Sequence, residues 1–178
     1  AGSSARSGTD LGRMQEAMRK MGVKFGVKSK DLYCPDSQRV IAEFQSYNRF
    51  AKRKGFPQMR IPVAGTIDFD QLYAAVRPEV FREFRLKERR REYEDFQKNI
   101  CKYIGQGVPL AWSVHLGWFP EPGVPGRGGH LRLIIGYNRE QNLVVYTDSW
   151  GAQHEHKTMP LEQAWTITTG LSVVTTRK

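Results

Sequence analysis

The sequence predicts an α+β domain, with helices first and a small antiparallel β-barrel or sheet after them. Three observations carry this expectation. Apolar residues recur at helical spacing through the first half of the chain, as Val40, Ile41, Phe44, Tyr47 and Ala51 do. From Gly107 onward the pattern changes to short β-rich runs bounded by Gly, Pro and Asn. The two kinds of segment are segregated rather than alternating, which points away from a parallel sheet. The 178 residues form a single domain, 1–178, with a helical part over about 9–105 and a β part over about 107–178. That length is enough to bury a substantial core.

The elements follow in order. Thr9 or Asp10 is placed to cap a helix over residues 11–21, ended by Gly22, with Leu11, Met14, Ala17, Met18 and Met21 as its apolar stripe. Residues 23–27 alternate as a short strand. The next helix starts near Cys34-Pro35-Asp36, because Pro suits a first turn and Asp the positive end of the helix dipole, and Gly55 ends it. Residues 56–65 are irregular, with two prolines, and Asp68 caps a short helix through Val76. Pro78 opens one long helical stretch to about Ile104. Its middle, residues 82–92, mixes charge signs at i, i+3 and i+4 and is expected to be a solvated face.

Residues 108–116 then form a buried strand, and a Gly/Pro-rich loop carrying Trp118 and Phe119 leads to His130. A loop of this length commonly carries function, and here it is expected to overhang the site. Two strands joined by the polar turn 138–142 follow, with Leu131, Leu133, Ile135 and Tyr137 alternating along the first. A strand at 154–157, a helical turn at 160–165 and a closing strand at 171–175 complete the chain.

The hairpin from Arg127 to Gly151 holds the candidate chemistry. With a three-residue loop at 138–140, Tyr137 pairs with Gln141 and His130 falls opposite Asp148. Directly opposed side chains share a face, with Cβ atoms about 4.5–5.5 Å apart. An imidazole and a carboxylate so placed can hydrogen bond. The carboxylate then fixes the ring tautomer and stabilises the imidazolium, as a general base requires. Gly128 and Gly129 leave backbone room beside the ring, and Trp150 is placed to shield the pair from water. A four-residue loop would put the two side chains on opposite faces unless a bulge restored the parity. The plain alternative is a chance His in a hairpin with an ordinary turn Asp.

Gly-His ahead of an apolar strand ending in Gly136-Tyr137, then a strand ending in Asp148-Ser149-Trp150-Gly151, resembles the second half of a papain-like cysteine peptidase. The resemblance is nearer to a bacterial branch related to the peptidases that remove double-glycine leaders. The runs Tyr47 to Lys52, Gly107 to Trp112 and Ala164 to Ile167 are similar to that branch too. The resemblance implies a helical part against a small β-barrel and hydrolysis of a peptide or protein substrate. It gives His130 as base, Asp148 as its orienting partner, and Trp150, Gly129 and Trp118 as residues shielding or lining the site.

Such a site also needs a Cys at a helix N-terminus, where the dipole and the imidazolium lower its pKa. Only Cys34 and Cys101 occur. Cys34 opens a predicted helix and qualifies by chemistry. The resemblance instead places the nucleophile on a helix upstream of Thr9, preceded by a Gln of the oxyanion hole, and neither is present there. The expectation is therefore a chain lacking its nucleophile helix, which an absent segment or a partner chain would supply. Cys34 as nucleophile and a non-catalytic binding module stay open beside it.

The net charge of +10, from 28 Lys and Arg against 18 Asp and Glu, would suit the binding module through a polyanion or a partner protein. A soluble basic surface explains the charge without nucleic acid, which is not an expected partner. No cofactor is expected: Gly126, Gly128 and Gly129 precede a strand rather than a helix, so no phosphate loop is present. No metal is expected either, since His154 and His156 lack further ligands beside them. No apolar run approaches the ~18–20 residues of a membrane span. The first ten residues have no apolar core of a signal peptide, so an export signal would have to lie upstream.

Overall fold

A computed structural model describes residues 16–17, 19–22, 24, 26–62, 68–124 and 126–176. Those described before residue 26 are helical, Gly22 and Lys24 among them. The proposed caps Thr9 and Asp10, and Leu11, Met14 and Met18 of the stripe, lie outside the described residues. The strand expected at 23–27 starts later, as β1 (Val27–Tyr33).

Helix α1 (Ser37–Arg53) begins where Asp36 caps it, its carboxylate accepting from the Arg39 amide at 2.8 Å. Asp68 does the same for α2 (Phe69–Ala75), accepting from the Gln71 amide at 3.2 Å. The long stretch after Pro78 is two helices, α3 (Pro78–Glu88) and α4 (Arg90–Ile104), because Arg89 leaves helical geometry at φ −117°, ψ 34°. Then follow β2 (Leu110–Leu116), β3 (Gly128–Asn138), β4 (Leu143–Thr147), β5 (Lys157–Pro160), α5 (Leu161–Ile167) and β6 (Thr168–Thr176). All pairings in the six-stranded sheet are antiparallel, in the order β1-β6-β2-β3-β4-β5. Mixed helices and an antiparallel sheet are thus present, but the sheet is open: β1 and β5 are edges, not partners, and no barrel closes.

The solvated face expected over residues 82–92 needs one correction. Arg85 is fully buried. Its guanidinium bonds both oxygens of buried Glu43, at 2.9 and 3.1 Å, and donates to the carbonyls of Trp165, Thr166 and Thr168 at 2.7–3.1 Å. Those carbonyls end α5, where a cation is favoured. Arg85 thereby ties α1 and α3 to the turn into β6.

One face of the sheet, formed by Leu110, Trp112, Val114, Ile134, Tyr146, Leu171 and Val173, is core. Its β3 members are the even-numbered residues. The alternation of Leu131, Leu133 and Ile135 marks the other face, and Leu133 is 42% exposed. The buried face of β3 at the loop end is polar instead: His130 and Arg132.

Candidate active site

The register of the hairpin departs from the three-residue loop. Asn138 pairs with Leu143, so four residues, 139–142, make the turn. Asn142 takes a left-handed conformation there, φ 54°, which Asn tolerates well. Ile135 is an extra residue on β3, since Gly136 pairs with Val145 but Ile134 with Tyr146. Four residues shift the parity by one, and the bulge shifts it back. Leu133 then pairs with Thr147, and the same register sets Arg132 opposite Asp148. His130 lies two residues further along the same face, within diagonal reach of a long side chain.

Both side chains converge on one carboxylate oxygen. His130 Nε2 lies 3.1 Å from Asp148 Oδ1, and Arg132 Nε donates to the same oxygen at 2.9 Å. The Asp148 side chain is buried, and its Oδ2 finds no hydrogen-bond partner among the described residues. Lys157 Nζ and His154 Nδ1 each stand 3.9 Å from that oxygen. Burial opposes ionisation of Asp148. The His130 hydrogen bond and the Arg132 charge outweigh it and hold the carboxyl below the usual carboxylate pKa. An ionised carboxylate only accepts, so the bonded Nε2 carries the proton, and in the neutral ring Nδ1 holds the lone pair.

Trp150 lies flat on the imidazole, with ring centroids 4.1 Å apart and planes at 9°. A short loop returns it there: the Asp148 amide donates to the His154 carbonyl at 3.0 Å, and the His154 amide to that of Gly151 at 3.2 Å. Gly151 permits this reversal at φ 90°.

Arg132 and Glu121 are the members that sequence reading missed. Arg132 is 1% exposed and forks onto both oxygens of Glu121 at 2.8 and 3.1 Å, while the Tyr146 hydroxyl donates to Glu121 at 2.5 Å. Glu121 comes from the loop expected to overhang the site, and it pins that loop onto β3. Trp118 of the same loop packs elsewhere, against Phe81, Tyr73 and His115, with Nε1 donating to the Tyr73 carbonyl at 3.1 Å. Gly129 pairs with His115 and so faces away from His130, toward the Asp70 carboxylate. A signal for Arg132 was available in its place: it shares the period of two with His130 and Ile134.

Cys34 is exposed beside the N-terminus of α1 and lines a cavity with Ser113, His115 and Gly129. These three lie on the face of the sheet opposite His130. Burial, then the nearby Asp31 and Asp36, raise the Cys34 pKa, the reverse of an activated thiolate. His154 and His156 precede β5 rather than share a strand. Among the described residues no group of three or more His, Cys, Asp or Glu could hold a metal ion, and no helix is long and apolar enough to cross a membrane. Five basic side chains of α1, α3 and the α3–α4 junction are engaged in ion pairs: Arg53 with Glu88, Lys54 and Lys87 with Glu83, Arg89 with Glu92, and Arg90 with Glu94.

Residues 64–173 match the family model described as the Peptidase_C39 like family. No curated protein matches the chain. Among solved structures the chain is similar to xylellain, a cysteine protease from Xylella fastidiosa. That likeness has 19% identity and a TM-score of 0.34, and covers 44% of this chain and 35% of that one. It spans about a third of the protease's length and is too slight to bear an inference.

Proposed function

Since this chain belongs to the Peptidase_C39-like family, we propose that it carries the base half of a cysteine-peptidase site acting on a peptide or protein. His130 is the general base and Asp148 its orienting partner. One observation carries the reading: His130 Nε2 is bound to a buried carboxylate at 3.1 Å beneath Trp150, leaving Nδ1 as the basic nitrogen. In an acyl transfer Nδ1 takes the thiol proton as sulfur attacks the carbonyl, then returns it to the leaving amine. Asp148 stabilises the imidazolium formed between these steps, and Arg132 keeps Asp148 ionised and in place.

The thiol in this reading comes from outside the described residues, because Cys34 lies across the sheet with a raised pKa. The test is hydrolysis of fluorogenic peptides by the complete gene product. His130→Ala is expected to lower kcat/KM by roughly a hundredfold or more, Asp148→Asn to lower it while KM changes little, and Cys34→Ser to leave it intact. Activity that survives His130→Ala defeats the proposal.

A further inference from the structure

The cavity beside Cys34 has a volume of about 300 Å³ and is walled by Tyr33, Phe69 and Tyr73 between β1, α2 and the face of the sheet turned away from His130. That size is at the small end of ligand pockets, and an apolar wall with a few polar groups is their usual make-up. Its charged lining is of one sign. Asp31 and Asp70 contribute carboxylates, and no Lys or Arg among the described residues lines it, in a protein of net charge +10. Asp31 is held in place, its Oδ1 accepting from the Ser172 hydroxyl at 2.8 Å. His115, 2% exposed and stacked on Tyr73 with ring centroids 5.3 Å apart, adds no positive charge, because burial lowers its pKa.

From this juxtaposition we propose a binding site for a small organic cation: an alkylammonium group carried on an aromatic or branched apolar body. The body fills the space between the rings, and the ammonium lies toward Asp31 and Asp70, where carboxylates and ring faces both attract it. The site is separate from the proposed chemistry and does not depend on it.

Cys34 at the rim is the reporter, and half-buried Cys101 on α4 is an internal control in the same molecule. Alkylation of each thiol by iodoacetamide is followed by peptide mass spectrometry with 2-phenylethylamine as the probe. Saturable slowing of Cys34 alone is expected, about fivefold or more at millimolar amine. 3-Phenylpropionate, of the same size and opposite charge, should give none. Asp70→Asn should raise the half-protecting concentration about tenfold, the loss of ~1.4 kcal/mol. Ser113→Leu, which fills the floor, should abolish protection in a folded protein. A phenylalanyl dipeptide amide separates two sources of the ammonium: protection extends the site to peptide amino termini, and its absence restricts it to free amines. No protection by the amine, equal protection by the carboxylate, or protection undiminished in the Asp31→Asn/Asp70→Asn variant overturns the proposal.

Discussion

Replacing Arg132 by Met keeps much of the side-chain volume against Tyr146 and Trp112 but removes the charge that two carboxylates share. Three bonds go: one to Asp148 at 2.9 Å and two to Glu121 at 2.8 and 3.1 Å. Asp148 keeps a hydrogen bond only to His130, with Lys157 Nζ 3.9 Å from its second oxygen, and Glu121 keeps only that of the Tyr146 hydroxyl. Removing one partner of a buried ion pair costs about 3–5 kcal/mol, because the stranded charge is worse than no pair. That is a large share of a total of ~5–15 kcal/mol. For a chain of this size it lowers Tm by roughly 6–20 °C. Urea unfolding at pH 7 reads the stability, and an NMR titration of Asp148 in the same variant should show its pKa rising once the guanidinium is gone. A loss below about 1 kcal/mol, the value of an exposed pair, would mean that water reaches these carboxylates. It would refute the shielded dyad.

The pH dependence follows from the same group. The folded pKa of Asp148 lies below its unfolded value, so its contribution is fully present above about pH 4 and is lost as pH falls through the folded pKa. Unfolding curves from pH 6 to 2 should show this loss, and Asp148→Asn should flatten it. Arg85→Met is expected to cost about 3–5 kcal/mol by leaving Glu43 only Arg89 at 3.7 Å, and the Arg85→Met/Glu43→Met double variant should recover only part of that loss, since the carbonyls of Trp165, Thr166 and Thr168 lose their donor in both; a double variant less stable than the single would contradict it. Gly136→Val should destabilise by about 1–3 kcal/mol, since even a bare Cβ there would stand 3.1 Å from the Val145 Cβ. Thermal melts suffice to measure it.

The helix starts were legible because a cap is local: Asp36 and Asp68 each announce one with a single side chain. The nearness of His130 and Asp148 was legible from the hairpin, but the path to it was not. A four-residue turn and a bulge at Ile135 replace the three-residue turn, and their parity changes cancel. Nothing in the residues around Ile135 apart from Gly136 marks a bulge. The apolar alternation of Leu131, Leu133 and Ile135 does not mark the buried face of β3, because that face is polar at the loop end and its burial is sustained by Glu121 from a distant loop. Arg85 was hidden for a related reason. Within a run of mixed charges a fully paired guanidinium and a solvated one have the same sequence, and only Glu43, 42 residues away, distinguishes them.

The central claim is that Asp148 holds His130 by Nε2 and leaves Nδ1 basic. Long-range 1H–15N NMR of the imidazole at neutral pH reads this directly. For the neutral form of the ring the account predicts the proton on Nε2, with Nδ1 bare, and a tautomer balance that shifts in Asp148→Asn. A proton on Nδ1, or ring nitrogens indifferent to Asp148→Asn, would contradict it.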